Sequence, residues 1–462
     1  MKITIKNLGI LDQAEFTLAP LTVICGENNT GKTYATYSLF GFLALWRDAY
    51  AIQVPEKDIS SLLDEGVLHL SINEYISKAG QILDHWCKQY TSQLPTVFAA
   101  PEDKFANSKF EVSISKSGLR PKDSYEQRIR AGQADLFLLS KNSDADELTV
   151  TLLGEKEEKP RVPSGAARKV VSDALKDIIF SGAFPRPFLA SAERTGAAIF
   201  RNELNFPRNR LLEEVSKSTK KLDPFQLLFK VYQDYALPVK RNVDFMLALE
   251  SLAKKSSFIA KEHPDLLADF TSIISGEYAV TRGGQLYYRP KGKRIRLTMG
   301  ESSSAVRSML DLGFYLHHVA EPGDLLMVDE PELNLHPSNQ RRVARLFARL
   351  VKLGIRVFIT THSDYIVKEL NTLIMLARGT PHLKAVAERE NYRPDELLSP
   401  DDVRLYMAGE ALVDLGDGGR KKWRQTLTVA DINPEYGIKV DSFDKTIDEM
   451  NRIQDEIVWG ED

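Results

Sequence analysis

Three short stretches of this 462-residue sequence place charged and hydroxyl side chains at spacings that suit phosphate chemistry. Residues 26–33 read GENNTGKT and match the pattern G-x-x-x-x-G-K-[S/T] at every fixed position. The two glycines let backbone N–H groups wrap a phosphate, while Lys32 adds a point charge and Thr33 a hydroxyl ligand for Mg²⁺. The stretch follows the apolar run LTVIC and precedes a helical pattern, which is the context that a phosphate-binding loop requires. The residues predicted to bind the nucleotide are Gly26, Glu27, Asn28, Asn29, Thr30, Gly31, Lys32, Thr33 and Tyr34.

Two adjacent carboxylates end the second stretch. Residues 324–332 read DLLMVDEPE, so an apolar run stops at Asp329 and Glu330. A carboxylate at the end of a buried strand can hold Mg²⁺, and the next one can polarise a water molecule as a general base. Alone, the pattern also fits a strand that ends in solvated acids, but the loop upstream favours the chemical roles. We therefore predict Asp329 as a metal ligand and Glu330 as a catalytic base.

The third stretch is a histidine after another apolar run, IRVFIT. His362 lies 32 residues after Glu330, on what we predict to be the neighbouring strand, where it could contact a γ-phosphate. A single histidine at a strand end is usually structural, but this spacing favours a functional role. The predicted catalytic set is therefore Lys32, Glu330 and His362.

Composition excludes several classes of protein. There are 61 Lys and Arg against 64 Asp and Glu, and the net charge of -3 argues against a strongly basic nucleic-acid-binding protein. Cys25 and Cys87 cannot form a disulfide framework and fit a reducing cytosol. No apolar run approaches the roughly 20 residues that a bilayer needs, and the N-terminus lacks signal-peptide features. We expect no membrane partner and a cytoplasmic location.

Apolar runs alternate with helical patterns around these stretches, which predicts βαβ units and a parallel sheet. Residues 276–290 read as a hairpin, and segments 110–115 and 147–153 as strands, whereas the charged segments 118–132 and 154–165 read as solvated loops. The predicted division is an N-terminal lobe at 1–48, a helical lid with some strands at 49–275 that includes a possible return to the core at 185–196, a C-terminal lobe at 276–440 and an acidic C-terminal helix at 441–462.

Together with TMGESSSA at 298–305 and NLHP at 334–337, the three stretches resemble an ABC-type ATPase of the SMC/RecF/OLD kind, over about residues 1–48 and 276–440. The resemblance implies an α/β fold: a split ABC-type P-loop ATPase domain with a large mixed helical lid insertion. It also implies ATP and Mg²⁺ as cofactors. No glutamine is a secure match to the coupling Q-loop of this family.

The same resemblance implies a head-to-tail dimer or a higher homo-oligomer. In it, the signature segment of one subunit would contact the ATP of the other, and the D-loop would cross the interface. The signature serines could also have a purely structural role as the N-cap of a helix, and that role is compatible with the contact in trans. The implied signature residues are Gly300, Ser302, Ser303 and Ser304, and the implied D-loop residues are Asn334 and His336.

FLASAERTG at 188–196 resembles the PAER box of bacterial OLD-like and RecF-like ATPases of anti-phage defence, such as the ATPase subunits of the PARIS and Septu systems or retron-associated relatives. In that setting Glu193 and Arg194 would couple the lid to the nucleotide, although a surface turn with an internal ion pair explains them equally well. We find no Toprim-type strand with a D-x-D pair after His362. The expected partners are therefore a separate effector, a Toprim- or HNH-type nuclease, and a phage-encoded trigger protein.

The sequence thus predicts an ATPase that serves as sensor and scaffold of a bacterial anti-phage system. The alternative is a RecF/SMC-like DNA-repair or recombination ATPase that binds DNA directly. It is motivated by the basic cluster RPKGKRIR at 289–296, which also fits a solvated strand edge. A second cluster, KSTKK at 217–221, reads as a solvated helix face. An ATP-binding switch without turnover is a third possibility, but the intact catalytic set argues against it.

Overall fold

The computed structural model describes residues 1–131, 134–153, 162–200, 235–281, 283–413, 421–439 and 449–457. The strands are β1 (Lys2–Leu8), β2 (Leu11–Thr17), β3 (Leu21–Cys25), β4 (Val67–Ser71), β5 (Lys109–Ser113), β6 (Tyr125–Ala131), β7 (Ala134–Lys141), β8 (Glu147–Leu152), β9 (Pro187–Ala190), β10 (Gly276–Val280), β11 (Leu286–Pro290), β12 (Leu297–Thr298), β13 (Leu325–Asp329), β14 (Arg356–Thr361), β15 (Val403–Val413), β16 (Lys422–Val429), β17 (Ile432–Asn433) and β18 (Gly437–Ile438).

The α-helices are α1 (Lys32–Ala49), α2 (Glu56–Glu65), α3 (Ile72–Ser77), α4 (Ala79–Thr91), α5 (Leu94–Phe98), α6 (Ser164–Phe180), α7 (Arg194–Ile199), α8 (Leu237–Leu247), α9 (Leu249–Leu252), α10 (Phe258–Glu262), α11 (Pro264–Ile274), α12 (Ser304–Ser308), α13 (Leu310–Phe314), α14 (Pro337–Lys352), α15 (Asp364–Leu376), α16 (Pro381–Arg389) and α17 (449–457). A π-helical turn, Tyr315–Val319, follows α13.

A six-stranded central sheet, in the order β16-β15-β3-β14-β13-β9, organises the molecule. Its strands run parallel except β16, which pairs antiparallel with β15. The register pairs Asp329 with Thr360 and Thr361 with Cys25, so β13, β14 and β3 end side by side. Parallel strands that are covered on both faces read as continuous apolar runs, which explains why β3 and β13 were readable from the sequence.

Successive residues of the central strands face two different hydrophobic cores. Ile24 and Phe358 point into a core formed with α1, the three-stranded sheet β2-β1-β5 and the inserted helices. Their neighbours Val23 and Ile359 point into a second core, formed with α14 and α15. This alternation follows from the period of two along a strand. Both cores hold the sheet edge at which the predicted site residues emerge.

The predicted α/β class is confirmed, because helices and hydrophobic cores cover both faces of a mostly parallel central sheet. The return to the core is also confirmed, because β9 pairs in parallel with β13. The predicted hairpin forms, with Val280 opposite Leu286. Segments 110–115 and 147–153 match β5 and β8, and β5 pairs with β1.

One local prediction is wrong. The charged segment 118–132 is not all loop, because β6 occupies its second half and pairs with β7 at the edge of a four-stranded sheet. Tyr125 and Ile129 are half-buried on one face while the charged residues between them are exposed. Charged edge strands resist unwanted pairing, and that polarity conceals the strand in the sequence.

Some predictions fall partly or wholly outside the described residues. The cluster at 217–221 lies outside them, as do most of segment 154–165 and both flanks of α17 within the predicted C-terminal helix. The division into lobes and lid stays a prediction. In the described part of the chain, no helix has both the length and the apolar character needed to cross a membrane.

Candidate active site

The loop at 26–33 is held by two glycines that admit no side chain. Gly26 has a φ of 146°, and a Cβ there would lie 2.4 Å from the main-chain oxygen of Ala408 on β15. Gly31 has a φ of 95°, and its Cβ would lie 2.6 Å from the side chain of Leu11. Left-handed backbone and close packing both require glycine. The loop therefore leads directly from the end of β3 into the first turn of α1 at Lys32.

Lys32 lies buried within this loop, with 6% of its surface exposed. Its Nζ donates hydrogen bonds to the main-chain oxygens of Gly26 at 2.9 Å and Glu27 at 2.6 Å. Burial lowers the pKa of the ammonium, an effect that the carboxylates of Glu330 and Asp329 oppose. The cation thus lies between the loop and the acidic end of β13, where it can neutralise a bound phosphate.

Asp329 ends β13 as a buried carboxylate. Its Oδ1 accepts a hydrogen bond from the Thr360 hydroxyl of β14, whereas Oδ2 has no partner among the described residues. Burial raises the pKa of Asp329 to about 6. A buried carboxylate oxygen without a donor suits a cation, and the exposed Thr33 hydroxyl at the start of α1 is of the right chemistry to share it.

Mg²⁺ is commonly held by one or two protein oxygens together with substrate phosphates and water. In keeping with this, the described ranges contain no group of three or more His, Cys, Asp or Glu side chains arranged to hold a metal ion. The Thr33 hydroxyl and the Asp329 carboxylate are oxygen donors of the kind that would fit Mg²⁺.

Glu330 adopts a conformation that non-glycine residues seldom take. Its φ is 51°, in the left-handed region, and its N–H donates to the Thr360 main-chain oxygen at 3.0 Å. The turn directs the Glu330 carboxylate out of the sheet, where its side chain is 26% exposed and its Oε1 lies 3.8 Å from Nδ1 of His362. Backbone strain of this kind persists where the surrounding structure enforces it, often at functional sites.

His362 is held by an acid that the sequence did not single out. Glu332 is buried, and its Oε1 lies 3.2 Å from Nδ1 of His362. The same oxygen accepts hydrogen bonds from the His362 N–H at 2.8 Å and the Thr361 hydroxyl at 2.9 Å. Glu332 thereby fixes the imidazole beside Glu330. The sequence feature that could have identified Glu332 is its place as the third acidic residue of DEPE, at 329–332.

Arg194 is the first residue of α7 and is 1% exposed. The alternative prediction of a surface turn is therefore wrong for this residue. Its Nη1 donates to the main-chain oxygens of Asp329 at 2.6 Å and Ser191 at 2.8 Å. Its Nη2 donates to the Glu330 oxygen at 2.7 Å, and its Nε to the Ser308 oxygen of α12 at 2.7 Å. One guanidinium thus connects the end of β9, the acidic end of β13 and the helix after the predicted signature.

Asp311 is the carboxylate whose charge most strongly supports that guanidinium. It is fully buried on α13, and neither of its oxygens has a hydrogen-bond partner in the described ranges. Burial raises the pKa of Asp311 to about 7, against the opposing charge of Arg194. Burial conversely lowers the pKa of Arg194, and Asp311 opposes that shift.

Glu193 is exposed and faces α1 instead of pairing with Arg194. Its Oε2 accepts a hydrogen bond from the Tyr37 hydroxyl at 3.0 Å. Burial, followed by the charge of Glu193, raises the pKa of Tyr37. Glu193 and Arg194 therefore contact different elements, α1 for Glu193 and β13 with α12 for Arg194.

The predicted signature forms the start of α12. Ser303 caps this helix, accepting from the Val306 N–H at 3.3 Å, and its side chain is exposed. Ser302 is buried and donates to the Thr298 main-chain oxygen at 2.7 Å. Gly300 is exposed and Ser304 half-buried. Within the described ranges we find no hydrogen bond between this segment and residues 26–34.

The predicted D-loop connects β13 to α14. Asn334 is exposed with a φ of 60°, and the exposed His336 caps α14 by accepting from the Ser338 N–H. The Ser308 hydroxyl of α12 donates to the main-chain oxygen of Leu333 at 2.9 Å. The D-loop and the signature helix are therefore tied to each other within one chain.

Two further residues support the site from distant parts of the sequence. Asn242 of α8 is buried and accepts from the Ser191 N–H at 2.9 Å, just before Arg194. Gln425 of β16 donates from Nε2 to the main-chain oxygen of Thr30 at 3.0 Å. Each lies more than 50 positions along the chain from the residue that it contacts, so spacing alone could not have identified it.

The chain matches known proteins in three ways. Residues 94–368, more than half of its length, match the family model described as "AAA domain, putative AbiEii toxin, Type IV TA system". Over 94 residues it is 29% identical to the hemin import ATP-binding protein HmuV of Pseudomonas aeruginosa, a match that covers 20% of this chain and 34% of that protein. The chain thus spans about a third of the length of this curated relative.

Among solved structures, the chain is similar to the Smc head bound to the C-winged helix domain of ScpA. The identity is 10%, the coverage 91% of this chain and 96% of that one, and the TM-score 0.31. It is also similar to a Smc head domain with an extended coiled coil, bound to the C-terminal domain of ScpA, from Pyrococcus furiosus. Here the identity is 12%, the coverage 98% of each chain and the TM-score 0.31.

Proposed function

Since this chain belongs to the AbiEii-type AAA domain family, we propose that it binds ATP with Mg²⁺ and hydrolyses ATP between two copies of itself. The observation that carries the proposal is the meeting of Lys32, Asp329, Glu330 and His362 at the carboxyl ends of three adjacent parallel strands. Cation, metal ligand, base and polar side chain are the parts that phosphoryl transfer to water requires.

The proposed chemistry assigns one task to each side chain. Backbone N–H groups of residues 26–33 and the Lys32 ammonium bind the β- and γ-phosphates. Glu330 accepts a proton from the attacking water, whose oxygen forms a bond to the γ-phosphorus while the bond to the ADP oxygen breaks. His362, oriented by Glu332, donates a hydrogen bond to the γ-phosphate. When bound, Mg²⁺ on Thr33 and Asp329 neutralises phosphate charge.

The proposed site is completed by a second copy. Gly300 and the exposed Ser303 hydroxyl at the start of α12 would contact the γ-phosphate held by the partner's loop. Support comes from the exposure of Gly300 and Ser303 on the surface of their own chain. ATP would then join the two copies head to tail, with Asn334 and His336 at the interface.

We propose Arg194 as the coupling residue between the two halves of the site, because it donates hydrogen bonds both to the turn that carries Glu330 and to α12.

A mixing experiment tests the shared site. K32A removes the phosphate cation, S303R blocks the signature, and each variant alone should lose most ATPase activity. If the signature acts in trans, mixing the two restores one intact site per heterodimer and hence part of the activity. S92R, an exposed serine at the end of α4, is the matched control and should stay active alone. No recovery on mixing, with both variants folded, would refute the shared site.

We further propose that this ATPase is the sensor and scaffold of a bacterial anti-phage system and controls a separate effector, a Toprim- or HNH-type nuclease, in response to a phage-encoded trigger. The family description, which names a toxin–antitoxin system, supports a two-component arrangement. The proposal is tested with cells that carry this chain and its neighbouring gene. Protection against phage should be lost with K32A and kept with S92R. Equal plaque counts for wild type and K32A would refute it.

One observation favours a second candidate, a DNA-binding repair or recombination ATPase. Arg289 pairs with Glu277, whereas Lys291, Lys293 and Arg294 are exposed next to the predicted signature. Phosphate contacts by these cations would make DNA binding depend on salt. Alanine at Lys291, Lys293 and Arg294 should then weaken DNA binding and flatten its salt dependence. DNA stimulation of the ATPase without any partner protein would favour this candidate over the defence role.

A further inference from the structure

The β15–β16 hairpin extends past the phosphate-binding loop. Met407 of β15 pairs with Cys25, the last residue of β3, so residues 408–413 continue beyond the sheet edge at which the loop begins. At about 3.3 Å per residue, this extension reaches about 20 Å. Its first residue lies against the loop, because a Cβ built at Gly26 would lie 2.4 Å from the Ala408 main-chain oxygen.

Gln425 of β16 contacts both the loop and β2. The Gln425 side chain donates to the Thr30 main-chain oxygen at 3.0 Å, and its N–H donates to Oδ2 of Asp12 at 2.9 Å. The hairpin is therefore held in place at the point where it passes the nucleotide loop.

The alternation of β16 places Trp423 on the same face as Gln425. Leu427, four residues from Trp423 and on this face too, is 7% exposed in the core that contains α1. Trp423 precedes Gln425 by two residues, so it lies about 7 Å further toward the end of the hairpin. Its side chain is 65% exposed.

Two other apolar side chains are exposed around the same loop. Leu412 is the cross-strand partner of Trp423 and is 53% exposed. Ile10, in the turn between β1 and β2, is 43% exposed and packs against Gly31, with its Cγ1 3.4 Å from a Cβ built there. A large aromatic ring grouped with aliphatic side chains beside a phosphate loop is a surface suited to a planar, partly apolar ligand.

We propose that Trp423 stacks on the base of the nucleotide whose phosphates residues 26–33 hold, with Leu412 and Ile10 bordering the base. This assignment rests on the proposed nucleotide binding and adds the residue that recognises the nucleoside. Stacking on an aromatic ring accepts any base, because every base has a π-face. Trp423 therefore contributes affinity for nucleoside triphosphates in general and discriminates against inorganic triphosphate.

Binding titrations by calorimetry test the assignment with ATP and with inorganic triphosphate. W423A should weaken ATP binding by about tenfold, the order of affinity that base–aromatic stacking supplies. It should leave triphosphate binding unchanged, which also shows that the loop is folded. W423F should retain most of the ATP affinity. V429A, on an exposed residue at the opposite end of β16, is the matched control and should match wild type for both ligands.

The outcomes separate this assignment from the proposed function. Wild-type ATP affinity in W423A would overturn the stacking role, as would an equal loss of ATP and triphosphate binding, or a loss in V429A as large as in W423A. If the wild-type protein bound neither ligand and K32A behaved identically, nucleotide binding itself would be refuted, and the stacking role with it.

Discussion

The Nη2 of Arg194 donates a 2.7 Å hydrogen bond to the main-chain oxygen of Glu330, whose backbone lies in the left-handed region with a φ of 51°. The same guanidinium bonds the preceding carbonyl, that of Asp329. A buried arginine with a planar array of donors can hold two successive carbonyls at once. The unusual turn that directs the proposed base toward His362 is thus held from β9 and α7, elements about 135 residues earlier in the chain.

We expect R194K to separate catalysis from nucleotide binding. A lysine keeps the charge but cannot bond all four carbonyls, so the Glu330 carboxylate should move from its position. A displacement of about 1 Å can cost about 100-fold in rate, whereas ATP affinity should change less than about threefold. ATPase assays and ATP titrations measure the two effects.

R186K is the matched control for that experiment, because Arg186 bonds Asp324 at the opposite end of β13. It should lower the melting temperature without a selective loss of kcat. An R194K variant with wild-type kcat would contradict the positioning role, and so would an equal loss in R186K.

E330Q should bind ATP and fail to hydrolyse it. The amide has the shape of the carboxylate but accepts no proton, and general-base catalysis contributes about 100- to 10,000-fold. Gel filtration should then show ATP-dependent assemblies that persist longer than those of wild type. E126Q, at an exposed carboxylate of the edge strand β6, should leave the rate unchanged. Hydrolysis by E330Q at the wild-type rate would show that another group is the base.

Glu332 and His362 should act as one unit. Their atoms lie 3.2 Å apart, and Glu332 also bonds the His362 N–H, so E332Q should reduce kcat by releasing the imidazole. In a double-mutant cycle, E332Q combined with H362A should cost little more than H362A alone, a coupling of about 1 kcal/mol or more. Additive effects on kcat would mean that Glu332 does not act through His362.

Asp311 should make stability depend on pH. Burial raises its pKa from 3.8 to about 7, so between these values the folded protein binds a proton that the unfolded chain releases. The free energy of unfolding of wild type should therefore fall relative to D311N as pH rises from about 4 to about 7, and the difference should then level off. The full change is up to about 4 kcal/mol. Thermal melting of wild type and D311N at pH 5 and pH 8 measures this change. An equal difference in stability between the two proteins at both pH values would contradict the prediction.

G26A should destabilise the nucleotide loop. The new Cβ would lie 2.4 Å from the Ala408 oxygen at a φ of 146°, a combination of clash and backbone strain that costs about 2 kcal/mol or more. ATP binding should be lost and the melting temperature lowered. G80A in α4 is the matched control, since nothing lies within 4 Å of its Cβ and alanine there should stabilise the helix by up to about 1 kcal/mol. Normal ATP binding by G26A would refute the close approach of β15.

The limits of sequence reasoning appear at particular residues. The loop at 26–33 and strands β3 and β13 could be predicted because glycine spacing and continuous apolar runs are local consequences of backbone geometry and burial. The strand β6 was missed because its charged edge conceals the alternation of Tyr125 and Ile129. For Arg194, the sequence alone left a surface turn and a coupling role equally open.

By itself, the sequence determined the chemical groups of the site and the α/β class of the fold, since both depend on residues that are near neighbours in the chain. Only the tertiary structure decided which distant groups serve that site. In the folded chain, buried Arg194 donates a hydrogen bond to the Glu330 main-chain oxygen, and the His362 N–H donates to Glu332. Gln425 donates to the main-chain oxygen of Thr30, 395 positions away in the sequence. These contacts follow from the order of strands in the central sheet, above all from β15 lying next to β3. Strand order is set by packing of the whole chain, which no local pattern encodes.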